Sequence, residues 1–345
     1  MSRTSSANDR IAWVDYSKGF CIILVVMMHS TLGVQDAAGA QGFMHYVVDF
    51  ARPFRMPDFF LISGLFVGRV IDRDWRNFLD KKLVHFGYFY LLWFLIQGAF
   101  KWPALGMAEG PGAVAHAFAV GLIDPFGTLW FIYLLPIFFI TVKLLRKLPP
   151  VVLLGAAALL QSLPINTGWV VIDEFALRFV FFATGWYAAP YVFAFSRWVA
   201  ANRLASVGLL LVWGVVNNTA VVTGYAVMPG ISLLLGYAGA CAVISVASIL
   251  STLDLAAPIR YAGRNSIVIY LAFFLPMAAT RIVLLKTGVI TDIGWVSLIV
   301  TAVAVISPLI LHYITEKTGH GRFLFVRPAA FHLSPPRQPA LQPAE

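Results

Sequence analysis

The sequence predicts an all-α polytopic membrane protein with about ten transmembrane helices and both termini on the cytoplasmic side. Three observations carry that prediction. The 345 residues are 60% hydrophobic and only 12% charged, against roughly 25% charged residues in soluble domains. Mean hydropathy is +0.81. Apolar runs of about 20 residues recur along the chain, the length a helix needs to cross a bilayer. Such continuous runs argue against a β-barrel, whose strands alternate polar and apolar residues.

Taken in order, the first span covers about 14–34. It ends in His29-Ser30-Thr31-Leu32-Gly33 without a small-x-small cleavage site, so it reads as a retained helix that also directs insertion. The second, about 46–70, is interrupted by Pro53 and Pro57. The third and fourth lie near 83–102 and 129–145. The fifth, 151–163, is short and stops before Pro164. The sixth to tenth fall near 175–195, 204–222, 231–250, 265–285 and 293–313.

The basic residues orient these spans. With the N-terminus inside, about nineteen Lys and Arg fall on the cytoplasmic side. Only six fall opposite: Arg52, Arg55, Lys101, Arg178, Arg281 and Lys286. That is the asymmetry of the positive-inside rule. The net charge of +9 therefore reads as membrane anchoring, with no nucleic-acid partner. The expected layout is a cytoplasmic segment over 1–12, a membrane domain over 13–317, and a Pro-rich, disordered cytoplasmic tail over 318–345. The longest outer loop, 103–127, is Gly/Pro-rich and suits a lid or a short interfacial helix. No internal repeat is present, which weakens the case for a transporter of duplicated halves.

Ionisable side chains at membrane depth are costly and therefore mark function. His29 lies near the outer end of the first span, where an imidazole can take a proton from a hydroxyl or carry an acyl group itself. The bland alternative is a headgroup-level histidine. Arg52 and Arg55 are three apart, so on one helix they share a face. A guanidinium pair there suits an oxyanion, phosphate or carboxylate, or snorkels to headgroups. Asp58 reads first as the counter-ion of Arg55 and second as a substrate contact. Asp15 and Lys18 share one face at the cytoplasmic mouth, either paired with each other or bordering the approach of a phosphate-bearing donor. Trp130 opens the fourth span as an interfacial anchor or a site residue. Gly64-x-x-x-Gly68 reads as close helix packing, and Glu174 with Arg178 as a structural i,i+4 ion pair. Cys21 and Cys241 have no metal-ligand spacing, and no metal site is expected. The chain has no phosphate loop, His-Glu-x-x-His or Gly-x-Ser-x-Gly motif.

Trp13-Val14-Asp15-Tyr16-Ser17-Lys18-Gly19, followed by Ile22-Ile23-Leu24-Val25-Val26 and His29, resembles the opening of the acyltransferase 3 family, in particular its fucose 4-O-acetylase-like branch. Arg52-x-x-Arg55-Met56-Pro57-x-Phe59-Phe60-x-x-Ser63-Gly64 is similar to that family's second-helix motif. Leu129-Trp130-Phe131, Phe181-Phe182-x-x-Gly185 and Gly263-x-x-Ser266-Ile267-x-Ile269-Tyr270 add support by their order. One departure stands out. Many relatives carry a histidine shortly after that tyrosine, whereas Tyr270 is followed here by Leu271-Ala272-Phe273-Phe274. The departure leaves open a divergent acceptor or an atypical catalytic arrangement.

The resemblance implies a bacterial inner-membrane O-acyltransferase. It would move an acyl group, commonly acetyl, from cytosolic acyl-CoA to a hydroxyl of a cell-envelope glycan or lipid-linked acceptor. Acyl-CoA is then a co-substrate and no cofactor is bound. His29 takes the role of the essential histidine, with Arg52 and Arg55 contacting donor or substrate. On this view the three side chains converge on one hydrated chamber. The rival readings are an exporter of a glycan precursor or related anionic solute, and a catalytically silent scaffold.

Overall fold

The computed structural model describes residues 11–125 and 127–333. Most of the expected N-terminal segment and residues 334–345 of the tail lie outside the described residues. Among those described, the chain forms helices joined by turns and short connections and holds no strand. In order come α1 (Ala12–Ala38), α2 (Met44–Ala51), α3 (Arg55–Gly64) and α4 (Trp75–Leu79). A π-helical turn, Asp80–Val84, joins α4 to α5 (His85–Glu109). There follow α6 (Pro111–Gly121), α7 (Trp130–Leu145), α8 (Pro150–Ser162), α9 (Val170–Tyr187) and α10 (Ala189–Ala201). Next are α11 (Arg203–Val222), α12 (Ile231–Leu253), α13 (Ala257–Arg264), α14 (Ser266–Ala272), α15 (Phe274–Thr287) and α16 (Ile293–Thr318).

Every expected span falls on helix. Five stretches are long and apolar enough to cross a membrane singly: α1, the continuous α4–α5, α11, α12 and α16. Two bent pairs, α9–α10 at 77° and α14–α15 at 54°, raise the number to seven. The other three expected spans are the broken α2–α3 pair and the shorter α7 and α8. The protein is thus an all-α, multi-pass membrane protein.

Proline chemistry sets the breaks. A proline has no N–H to give the carbonyl four residues back, and its ring crowds that carbonyl. Pro190 and Pro276 sit in the first turns after the two bends. Pro53 falls in the turn between α2 and α3, whereas Pro57 is accommodated within the first turn of α3, where the N–H groups lack intrahelical partners anyway.

The centre of the bundle is α1, which packs against α3, α12, α13 and α16. Its Tyr16, Cys21, Ile22, Val26 and Val34 are fully buried, as expected of a helix apolar on all sides. Glycines allow its neighbours close. A Cβ on Gly19 would strike the backbone of Ile259, and one on Gly263 the carbonyl of Asp15. The Gly64-x-x-x-Gly68 expectation holds only by half. Gly64 lies against Phe182 and Gly185 of α9, and Gly185 against Leu61, but Gly68 faces open space. The close approach is therefore built by Gly64 with Gly185, on two different helices.

One connection takes the helical alternative of the sequence reading, and one departs from it. The 103–127 loop is largely helical: α5 continues through Pro103 to Glu109, and α6 folds back on it. Trp102 and Phe94 meet Phe118 with ring centroids 5.7 Å apart, and Tyr90 donates its hydroxyl to the Gly121 carbonyl. The start of the expected disordered tail is also ordered, through residue 333. It forms turns at Arg322–Leu324 and Ala329–Phe331 and lies along α5. Tyr88 and Trp93 donate to the carbonyls of Phe323 (3.0 Å) and Leu324 (3.1 Å). Buried Arg327 donates to Asp80 Oδ2 at 2.9 Å. Composition read this stretch as tail because the partner that orders it lies 247 residues away.

Candidate active site

His29 projects from α1 into a small cavity of about 10 Å³ lined by Val25, Met28, Met56, Phe59, Thr128, Trp130, Phe131 and Tyr270. That is room for about one water molecule. The ring of Phe273, at the α14–α15 bend, lies 5.6 Å from the imidazole, centroid to centroid. Arg55 and Lys101 bring positive charge near it. The predicted His29 and Trp130 thus meet, although 101 positions separate them in the chain.

The strand-free stretch before α7 makes this meeting possible. Gly127 adopts φ +67°, and a Cβ there would come within 3.1 Å of Lys101 Nζ, so only glycine fits without strain. Gln97, fully buried on α5, donates to Thr128 Oγ1 at 3.3 Å. Tyr270 donates to the Thr128 carbonyl at 2.6 Å and accepts from the Ile132 N–H at 3.3 Å. Tyr270 therefore pairs an N–H that α7 leaves without an intrahelical acceptor in its first turn and the carbonyl of Thr128 just before the helix, and in doing so fixes Trp130 beside His29.

A second cavity, about 370 Å³, opens at the face where α1 begins. Asp15 and Lys18 both line it, with Arg69, Arg264, Ser266 and the backbone of Gly263. Asp15 accepts from Arg264 Nε at 3.1 Å, so the α1–α13 pair supplies its ion-pair partner. Lys18 Nζ and the Arg69 guanidinium lie 5.7 Å and 4.7 Å from the Phe66 ring centre, close enough for cation–π attraction. Lys18 and His29 are eleven residues apart on one continuous helix, hence about 16 Å along its axis.

A third cavity, about 400 Å³, opens at the opposite face. Arg52 lines it with Asp49, Pro57, Gln161, Arg178 and Ser232. The Glu174–Arg178 ion pair forms as expected, at 2.9 Å, and Arg178 also turns toward this space. None of the three cavities shares a lining residue with another.

Three expectations need correction here. Among the described residues, His29 and Arg52 do not line one chamber: Arg52 belongs to the 400 Å³ cavity, His29 to the small one. The shared-face argument for Arg52 and Arg55 required an unbroken helix, but Arg52 caps α2 and Arg55 starts α3. Arg55 lies between the two, with Arg52, Arg178, Asp49 and Glu174 in its electrostatic surroundings. Its Nη1 donates to the Val48 carbonyl at 3.3 Å, while its buried Nε finds no acceptor. Asp58 is not its counter-ion. The carboxylate is fully buried against α1, where Cys21 Sγ donates to Oδ2 at 2.9 Å and Oδ1 stays unpartnered.

Sequence reasoning did not single out Gln97, Lys101, Thr128 or Arg264 as site residues. The first two lie in the apolar run of the third expected span, whose hydropathy hides them. Thr128 and Arg264 sat beside quoted motifs, which is the signal that was available.

A family model described as an acyltransferase domain matches residues 11–314. The chain is also similar to the inner membrane protein YcfT of Escherichia coli (strain K12), at 26% identity over 236 residues. That alignment covers 59% of this chain and 63% of the relative, less than two thirds of its length. No solved structure matches.

Proposed function

The chain belongs to the acyltransferase 3 family, and from that premise we propose that it is a membrane O-acyltransferase of the bacterial inner membrane. Its donor in this reading is acyl-CoA, with acetyl the leading acyl group. Its acceptor is a hydroxyl of a cell-envelope glycan or lipid-linked molecule. The observation that carries the proposal is the placement of His29 on α1 between two polar cavities at opposite faces.

At the N-terminal face, Lys18, Arg69 and Arg264 offer charge complementary to the phosphates of CoA. The pantetheine arm extends along α1 toward His29. The imidazole accepts the acceptor's hydroxyl proton as its oxygen attacks the thioester carbonyl. Arg55 and Lys101 stabilise the oxyanion of the tetrahedral intermediate. Collapse breaks the carbon–sulfur bond, and the imidazolium returns its proton to the departing CoA thiolate. A variant route in which His29 carries the acyl group uses the same geometry. Trp130 closes the site against water.

Because the His29 cavity holds only about one water, turnover needs the surrounding side chains to part. The rival transporter reading also uses charged cavities on two faces. Purified protein in liposomes with labelled acetyl-CoA separates the two. Label transferred to an acceptor, without net acceptor flux, supports the transferase. Acceptor flux without consumption of acetyl-CoA overturns it. Mass spectrometry of envelope glycans from cells with and without the gene then identifies the acceptor by a mass difference of one acyl unit.

A further inference from the structure

We propose that the 400 Å³ cavity opposite the N-terminal face is a binding site for an anionic saccharide, one bearing a carboxylate or phosphate among its hydroxyls. The inference deepens the transferase reading by naming its acceptor class, and it rests on that reading for the word acceptor alone.

The size falls within the range of small-ligand sites, roughly 300–1,000 Å³. Two guanidiniums, Arg52 and Arg178, line it. Arg178 commits its Nε to Glu174 at 2.9 Å, which leaves its Nη groups as donors. Arg52 is exposed, and Asp49, the nearest acid on its own segment, is engaged by His45 at 3.3 Å. The cavity therefore holds guanidinium donors suited to forked recognition of a carboxylate or phosphate.

The remaining lining speaks for a sugar. Gln161 donates to Ser232 Oγ at 3.0 Å, and the pair presents an amide and a hydroxyl able to serve sugar hydroxyls as donor and acceptor. Asp49 accepts from hydroxyls. Pro57 and Phe181 supply an apolar wall against which a sugar ring's C–H face can lie. An isolated lipid phosphate would use the arginines and leave these groups idle. Position links the site to the chemistry. Pro57 faces this cavity while its neighbour Met56 faces His29, so one turn of α3 is the wall between them, with Arg55 beside it.

The test measures binding directly, apart from catalysis. The purified full chain in nanodiscs of uncharged lipid is titrated calorimetrically with a glucuronic-acid oligosaccharide and with the neutral glucose oligosaccharide of equal length. The charged sugar should bind about tenfold more tightly or better, the strength of one charge-assisted contact. Its advantage should shrink as salt rises, a readout that needs no variant. Arg52→Gln and Arg178→Gln should each remove most of the advantage, and Arg178→Lys should restore part of it, while His29→Ala keeps it. Equal or undetectable binding of the charged sugar overturns the proposal. So does an advantage that survives the double Arg52→Gln, Arg178→Gln variant, or complete displacement by phosphatidylglycerol added to the nanodiscs, which would mark a lipid headgroup site. Consumption of acetyl-CoA, followed in parallel, reports on the transferase reading separately: charged-sugar binding without consumption fails that reading and leaves the anionic site standing.

Discussion

Tyr270 on α14 holds the carbonyl of Thr128 at 2.6 Å, across 142 residues of sequence. The bond ties the late helix to the residues that open α7, and so governs where Trp130 stands relative to His29. Tyr270→Phe keeps the ring, which packs against Phe131 at 5.6 Å between centroids, but removes the hydroxyl. Two buried backbone groups then lose their partner, at a cost of about 1–3 kcal/mol. We expect a lower unfolding midpoint in detergent and a kcat reduced about tenfold, with KM for acyl-CoA unchanged. Full kcat in that variant would show that the tyrosine has no positioning role.

At the N-terminal face, Lys18→Ala and Arg69→Ala should weaken the donor and leave chemistry alone. KM for acyl-CoA should rise about tenfold in each at low salt, because each removes one charge-assisted contact. The difference from wild type should narrow at high ionic strength. Steady-state kinetics against acyl-CoA at two salt concentrations checks both statements.

Close packing at Gly64 and Gly185 leaves no room for a side chain. Alanine at either position must push α3 and α9 apart, since a Cβ on Gly64 would sit 3.1 Å from Gly185 Cα and closer still to the Phe182 carbonyl. Overpacking of this kind costs about 1–3 kcal/mol. Gly68→Ala meets nothing and should be neutral. Thermal unfolding of the three variants in one detergent gives the comparison.

The Arg327–Asp80 pair is buried on both sides and anchors the C-terminal segment to the π-helical turn before α5. Arg327→Ala leaves the carboxylate without its guanidinium, a loss of about 3–5 kcal/mol when one member of a buried pair is removed. Arg327→Ala should expose residues 319–333 to proteolysis, and Asp80→Asn combined with it should recover part of the stability. Limited digestion followed by mass spectrometry reads the outcome.

Much of this was legible in the sequence. Each apolar run became a helix, because in a bilayer the backbone must satisfy its own hydrogen bonds and helices do so within one segment. His29, Trp130, Asp15 and Lys18 came to line cavities, since polar groups in apolar helices are held where water or polar partners reach them. The failures have physical causes. Helical spacing put Arg52 and Arg55 on one face, but the Pro53 turn changes the direction of the chain between α2 and α3; Asp58 does share α3 with Arg55, yet its partner is Cys21 of α1, 37 residues away. Partners that are distant in sequence, such as Tyr270 with Thr128, Arg264 with Asp15 and Arg327 with Asp80, leave no local pattern to read. Gln97 and Lys101 are ordinary residues in composition and acquire significance only when α5 is set beside α7.

The most direct test of the central claim is the turnover of labelled acetyl-CoA by purified wild-type protein and by His29→Ala, with folding of both verified by thermal unfolding. General-base assistance is worth about 10²–10⁴-fold. A fall of that size in a folded His29→Ala protein, with acyl-CoA binding retained, is the predicted result. Acyl transfer at the wild-type rate in that variant would contradict the account.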